Sequence, residues 1–402
     1  MKGFFSKDQV QLIGGETKGM SCATCGLYKT ALTPKMEPYG DFRKKIMVIG
    51  EGPKEREDVT GKMWQGKGGR VLRQAYKKLG IDLFQDCVSI GAINCFSEKP
   101  PNDYQISCCR RKVIAAIKKY QPKVIILHGL SAVSSVITGY TYKGGRNGIA
   151  VWRGWAIPDR MINAYICPTF HPSFIEKQEQ ENEVEVIWKK DLKQAFEKVD
   201  QPFPDFQNEE DNVTISYDPE KVLDKLLKER PSLLAFDIET TGLKPYNKKY
   251  HEIITISFCA EMNKSYAIPM PTEKKSLKKL KRLLEHPNIR KIAANMKFED
   301  NWLTTLHGIN VNFDFDTMQA AHILDNRPNI TGLKFQSYVR FGVPNYDEDV
   351  SSFLKSPHSN IPNKIKELIQ DKDSFRKLLL YNGIDSLMTY RLAKLQKEEI
   401  GI

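Results

Sequence analysis

The chain has 402 residues, 41% hydrophobic and 27% charged, an ordinary globular composition and more than one typical domain holds. No segment offers the ~18 uninterrupted apolar residues of a membrane helix. The opening MKGFFSKDQVQLIGG has no apolar stretch of the secretory kind, so a cytoplasmic location, reduced cysteines and no membrane partner are expected.

The formal charge of +12 is uneven: residues 1–200 carry 32 Lys/Arg against 21 Asp/Glu, and the remainder 29 against 28. A basic half suits DNA, because cations on phosphates release counterions; a solvated basic surface explains the charge equally well. In chain order, KKIMVIG reads as a buried strand, GGRVLRQAYKKLG as a helix and CVSIGAI as a strand. A helix around RRKVIAAIKKY, the strands PKVIILHG and AYICPTFHP, and the helical VEVIWKKDLKQAFEKV follow. This alternation predicts an α/β domain with a largely parallel sheet over residues 1–199. DQPFPDFQNEEDN, with two prolines, clustered acids and no hydrophobic period, predicts a linker at 200–212. Over 213–402 the runs SLLAFDIET, IITISFCAE and KSYAIPM predict three strands, followed by helices, a short strand KIAANM and a largely helical end. A mixed sheet with helices packed on it is expected there.

Acids gather in three places of that second region. Asp237 and Glu239 are i and i+2 of a strand, so both carboxylates leave the same face, and like charges so close call for a cation such as Mg²⁺ or Mn²⁺. AANMKFEDNWL puts Glu299 and Asp300 where a strand turns into a helix. LLLYNGIDSLMTYRL places Tyr381 and Asp385 four apart on one helix face. Asp316 opens a further helix, where a carboxylate can cap backbone N–H groups.

In this order the motifs resemble the proofreading 3′→5′ exonuclease of the DnaQ-like superfamily, most closely the form attached to family A DNA polymerases. DIETTGL, NMKFE and YNGID stand for its three motifs, and DTMQAAHIL and TGLKFQSYVRFG resemble the stretches between the last two, over roughly Ser216 to Ile400. The resemblance implies a ribonuclease H-like fold and two-metal hydrolysis at a DNA 3′ end. Asp237 would bridge two Mg²⁺ or Mn²⁺ ions, Glu239 and Asp385 would hold the one that activates water, Glu299 would serve the other, and Tyr381 would orient the water. The family's second motif usually ends in aspartate; Glu299 holds that register here, with Asp300 the alternative.

The first region carries seven of the eight cysteines. CATC and NCFSEKPPNDYQISCC offer four thiolates for an iron–sulfur cluster or a structural zinc; a redox CxxC is the third option, though MSCATC reads as a loop rather than a helix start. VIGEGPKEREDVTGKMWQGKGGRVL resembles the GEAPGxxED…GxPFVGxAGxLL region of family 4 uracil-DNA glycosylases, and PTFHPSFI resembles their second motif, over roughly Gly19 to Val199. The resemblance implies a three-layer α/β/α domain with a [4Fe–4S] cluster on Cys22, Cys25, Cys95 and Cys109, Cys108 being the alternative to the last. It also implies a base pocket built from Glu51, Gly52, Trp64, Gly91 and His171, with Trp64 in the stacking position and His171 stabilising the departing uracil anion.

Two departures bear on activity. Gly91 stands where the family reads uracil with an asparagine, and Lys54 stands where a glycine lines the pocket. Either the domain excises uracil or another altered base, or it is a cluster-stabilised DNA-binding module without that chemistry; the departures favour the second. No polymerase palm, fingers or thumb is seen, so the combination resembles the front part of a split bacteriophage polymerase. It is expected to work in the host cytoplasm on single-stranded or primer 3′ ends, editing beside a separate DNA polymerase subunit. Stand-alone repair nuclease and RNase D-like exoribonuclease are the alternatives.

Overall fold

The computed structural model describes residues 21–142, 148–178, 183–246, 250–358 and 361–402. The expectation for the first fifteen residues lies outside them. Among the described residues no helix is long and apolar enough to cross a membrane.

The first sheet contains β1 (Ile46–Gly50), β2 (Cys87–Gly91), β3 (Val124–His128), β4 (Ile157–Asp159) and β5 (Ala164–Thr169) in the order β2-β1-β3-β5-β4. β1, β2, β3 and β5 are parallel, and the short edge strand β4 runs antiparallel to β5. Every residue of these strands is buried, as a sheet covered on both faces requires. The covering helices are α1 (Glu55–Thr60), α2 (Lys67–Lys78), α3 (Asp103–Tyr120), α4 (Leu130–Val136), α5 (Pro172–Glu176) and α6 (Glu183–Glu197). Strand alternation sends Met47 and Ile49 to one face with Val113 and Ile117 of α3 and Val133 of α4. Ile46 and Val48 go to the other, with Leu72 and Tyr76 of α2 and Trp188 and Leu192 of α6. The result is the expected three layers.

The second sheet is mixed, in the order β11-β10-β7-β8-β9-β6. Its strands are β6 (Val213–Ile215), β7 (Leu233–Thr240), β8 (Ile253–Glu261), β9 (Lys264–Pro269), β10 (Arg290–Ala293) and β11 (Phe313–Asp316). β7, β8 and β9 form an antiparallel meander, and β10 joins β7 in parallel. Leu234, Phe236 and Ile238 face α7 (Pro219–Glu229), α8 (Lys274–Leu284) and α9 (Met296–His307). Leu233 and Ala235 point the opposite way, and helix α12 (Lys372–Ile400) packs on that side. Between α9 and α12 lie α10 (Thr317–Leu324) and α11 (Leu333–Phe341). Strands β6 and β11 were not expected: each has only three or four residues, too few for alternation to register.

Three local expectations change. CATC is not a loop: Cys22–Cys25 is one helical turn, started by reciprocal capping between Ser21 and Thr24. Asp316 ends β11 as well as capping α10 through the Met318 N–H at 2.8 Å. The segment expected as a linker is packed rather than free. Phe203 meets the Tyr165 ring edge-on, Arg160 lies 4.0 Å from the Phe206 ring, and Glu209 is buried between Arg160 (2.7 Å) and Arg391 (3.1 Å).

Helix α11 also crosses between the two sheet systems. Its Phe335, Tyr338 and Val339, at i, i+3 and i+4, enter the core of the first sheet beside Trp152, Val151 and Tyr142. Gly342 ends α11 at φ +63°, and a Cβ there would meet the Pro158 carbonyl oxygen at 1.8 Å. Gly342→Ala therefore collides with backbone on β4 and strains φ at once. We expect a loss of about 2 kcal/mol or more, read as a fall in the denaturation midpoint; an unchanged midpoint would show that the contact yields freely.

Candidate active sites

The carboxylate site sits at the carboxyl end of β7. Asp237 and Glu239 continue the face already turned toward α12, so the alternation that buries Leu233 and Ala235 also aims both acids at that helix. α12 supplies Asp385, and one ligand oxygen from each of the three lies within 4.8 Å of the other two. The helix approaches closely because residue 383 is glycine: a Cβ there would meet Val213 at 2.4 Å and Ala267 at 3.3 Å.

Glu299 enters from the first turn of α9 with its side chain buried, and its Oε2 has no hydrogen-bond partner. Asp300, one residue on, is exposed beside Thr304. The turn into α9 is held by Asp316, whose two oxygens accept the N–H groups of Asn295 and Met296 at 3.0 Å each. Asn295 occupies the left-handed region at φ +74°, which gives the chain its sharp entry into the helix.

Burial holds Asp237, Glu239 and Glu299 well above the usual carboxylate range, and mutual repulsion adds to it: Asp385 acts on Asp237, and Asp237 acts on Glu239 and Glu299. Burial also raises Asp385, opposed by Lys334 and by bonds from Tyr346 and Tyr381. Such a group of hard oxygen donors, one of them buried and unpartnered, fits a divalent cation.

Three further side chains complete the site, and motif reading did not find them. Lys334 of α11 donates to the Tyr381 hydroxyl at 2.9 Å and to Asp347 at 3.1 Å. Burial pulls its ammonium down, but Asp385 and Asp347 outweigh that and hold it above its ordinary value. The Tyr346 hydroxyl donates to Asp385, and Asn382 Nδ2 donates to Asp237 at 2.7 Å. Asn382 adjoins Tyr381 in YNGID and Lys334 lies in TGLKFQSY, so the signal was present in quoted stretches.

The cysteine site lies where the Cys22–Cys25 turn meets the first turns of α3. A cavity of about 260 Å³ is lined by Cys22, Cys95, Cys108 and Cys109, with Lys35, Arg111 and Lys112 around it. Backbone N–H groups point at three sulfurs: Leu27 at Cys25, Lys35 at Cys95 (3.2 Å) and Asn94 at Cys109. Cys108 pairs instead with the Thr24 hydroxyl at 4.0 Å. Burial pushes Cys109 up to about 12, with Cys25, Cys95 and Cys22 adding to the rise. The lining sulfurs, two of them with amide donors (Cys95 and Cys109), and Cys25, which is outside the lining but close enough to act on Cys109, fit an iron–sulfur cluster, whose positive irons would hold the thiolates ionised.

The base-pocket residues also converge, around a buried Trp64. Trp64 is buried at φ +65°, its indole 5.7 Å from the rings of both His128 and His171. Its carbonyl accepts from Arg73, and a Cβ on Gly50 would sit 2.6 Å from the indole. His171 Nδ1 accepts the Ser173 N–H at 3.2 Å, and burial with the nearby Lys54 lowers the ring to about 4. The imidazole is therefore neutral at pH 7. His128, missed in the sequence, is fully buried under Trp64 with Tyr76 on its Nε2 at 3.0 Å; burial lowers it to about 3.

At Gly91 a Cβ would lie 2.2 Å from the Ile93 carbonyl oxygen and 2.9 Å from the Gly52 Cα. Asn94 lines the cysteine cavity instead of this pocket. Glu51 is engaged with Lys54 at 2.7 Å.

Residues 37–193 match the family described as the Uracil DNA glycosylase superfamily, and residues 211–397 match the family described as 3'-5' exonuclease. The chain thus joins a glycosylase-superfamily domain to a 3′→5′ exonuclease domain, a pairing that makes it a hydrolase acting on DNA. Among curated relatives, the type-4 uracil-DNA glycosylase of Thermotoga maritima is 28% identical over 43% of this chain and 87% of its own length. That of Saccharolobus solfataricus is 27% identical over 41% and 76%. Among solved structures, Escherichia coli RNase D, an exoribonuclease involved in structured RNA processing, aligns at 16% identity and a TM-score of 0.35, covering 47% of this chain and 46% of that one.

The raised carboxylates set the sign of a stability test. Without metal, each binds protons more tightly folded than unfolded, so its contribution falls as pH rises from about 4 toward its raised folded value. Asp237→Asn keeps an acceptor for Asn382 and removes one charge. It should raise the metal-free Tm by a few degrees (about 1 kcal/mol is 2–4 °C at this size), with the advantage over wild type growing toward neutral pH. Mn²⁺ should stabilise wild type and fail to stabilise the variant. A metal-free variant less stable than wild type across pH 5–8 would contradict the repulsion.

Proposed function

We propose that the chain trims DNA from the 3′ end by two-metal phosphodiester hydrolysis, and that it edits primer ends beside a separate polymerase subunit. The observation that carries the hydrolytic reading is the carboxylate group itself: half-buried Asp237 and Glu239 converge with buried Asp385, Glu299 adds a buried, unpartnered oxygen, and the nearby cation Lys334 balances only one charge. Asp237, Glu239, Glu299 and Asp385 would hold the ions, which when bound neutralise the cluster and supply Lewis acidity at phosphorus. Asn382 fixes the Asp237 carboxylate, and Tyr346 fixes that of Asp385. Tyr381, whose oxygen accepts from Lys334 and whose hydroxyl bonds to Asp385, stands beside the ligand carboxylates, where it would orient the nucleophilic water.

For the first domain, we read a DNA-holding module built around a [4Fe–4S] cluster on Cys22, Cys25, Cys95 and Cys109. Cys109 is preferred to Cys108 because it carries the amide hydrogen bond. Packing at Gly91 leaves no room for an asparagine side chain, and Trp64 fills the space near the two histidines, so uracil would lack its reading group. A second reading, an active glycosylase, draws on the kept His171 and on relatives that bear that name.

Asp237→Ala should abolish Mg²⁺-dependent release of nucleotides from the 3′ end of single-stranded DNA, by a factor of about 10³ or more. Retained activity would remove the assignment. In EDTA with uracil-containing duplex, we expect no alkali-labile sites from wild type or from Gly91→Asn; sites formed by wild type would establish the glycosylase reading. An iron content near zero in anaerobically purified protein would overturn the cluster.

A further inference from the structure

The exonuclease reading leaves unexplained why the helix that delivers Lys334 is buried in the other domain. Along α11, Phe335 packs on Trp152 with centroids 5.2 Å apart, and the Tyr338 ring stacks on Tyr142 at 4.6 Å. The Tyr338 hydroxyl lies 2.7 Å from Thr141 Oγ1 and donates to Asp159 Oδ2 at 2.8 Å. All four partners belong to the first domain and all are buried. The end of the helix is pinned as well: Arg160 Nε donates to the Phe341 carbonyl at 3.1 Å, and Gly342 presses on Pro158.

Lys334 sits one helical turn before Tyr338, so an anchor at Tyr338 sets its position along and around the axis. Tyr346 and Asp347 follow within six residues of the pinned end, and both engage the site, Tyr346 on Asp385 and Asp347 on Lys334. Interfaces packed like interiors transmit small shifts rather than absorbing them.

We propose that Tyr338 is a positioning residue of the nuclease: through it, the glycosylase-like domain holds α11 in the register that places Lys334 on Tyr381 and Tyr346 on Asp385. The first domain is then a structural component of the nuclease site and not only a separate DNA module. The inference rests on the exonuclease reading.

The test uses the full chain. Tyr338→Phe removes the hydroxyl from Thr141 and Asp159 while keeping the stacked ring. Single-turnover digestion of a 3′-labelled oligonucleotide should show kcat reduced at least about tenfold, the scale on which small misplacements act. KM and the Mn²⁺ isotherm should be unchanged, a split that general destabilisation does not produce. In a Lys334→Met background, Tyr338→Phe should have a smaller effect than in wild type, because part of its action runs through Lys334. A folded Tyr338→Phe protein with wild-type kcat, or full additivity with Lys334→Met, overturns the inference. An inactive wild type fails the exonuclease reading instead.

Should Tyr338→Phe not fold, hydrogen exchange of wild type in rising urea decides. Residues 149–169 and 333–347 should open together with loss of nuclease activity, and activity that outlasts opening of 149–169 overturns the proposal.

Discussion

Like charges crowded together are the constraint on which the second half of this molecule turns. Glu299 and Asp385 are buried, Asp237 and Glu239 are half-buried, and each is driven toward its protonated form by desolvation and by its neighbours. No fold keeps such a group for stability, since apolar residues of the same size would cost less. The surrounding structure is arranged to tolerate it. A glycine lets α12 lie close on the sheet, Asp316 ties down the turn that carries Glu299, and Lys334, Asn382 and Tyr346 contribute polar contacts. Divalent cations would complete the balance, in keeping with the match to a 3'-5' exonuclease family.

The first domain meets a related difficulty with sulfur in place of oxygen. Cys22 and the buried Cys95, Cys108 and Cys109 line a cavity, and backbone N–H groups are aimed at Cys95 and Cys109, whose thiols burial pushes toward the protonated form. The cysteine site and the base-pocket region differ in how they are kept. Around the cysteines there is space and there are donors; around Trp64 the indole fills the space and the backbone closes over Gly91.

Much of this was legible in the sequence because it depends on local period. Strands buried on both faces read as continuous apolar runs, and i, i+2 spacing placed Asp237 with Glu239. A four-residue spacing placed Tyr381 with Asp385, and the mixed sheet followed from the order of runs. Short elements escaped: β6 and β11 carry too few residues to show a period, and the Cys22–Cys25 turn depends on a Ser21–Thr24 cap. Lys334, Tyr346 and Asn382 escaped because a lysine, a tyrosine and an asparagine are unremarkable until their partners are known.

What the sequence by itself determined was which reactive groups the chain carries and in what order: acids on one strand face and on one helix face, cysteines in two groups, and at position 91 a glycine with no side chain to offer. Side-chain type and short spacing specify these, and both are properties of the linear chain. Only the tertiary structure decided how the parts combine. It turned Glu299 inward and Asp300 outward, packed the supposed linker through Phe206 and Glu209, and buried Phe335 and Tyr338 of α11 in the other domain's core. Those outcomes depend on contacts between residues up to about two hundred positions apart, such as Thr141 with Tyr338. Period and propensity carry no information at that range, because long-range contacts are selected by shape and burial after the local elements exist.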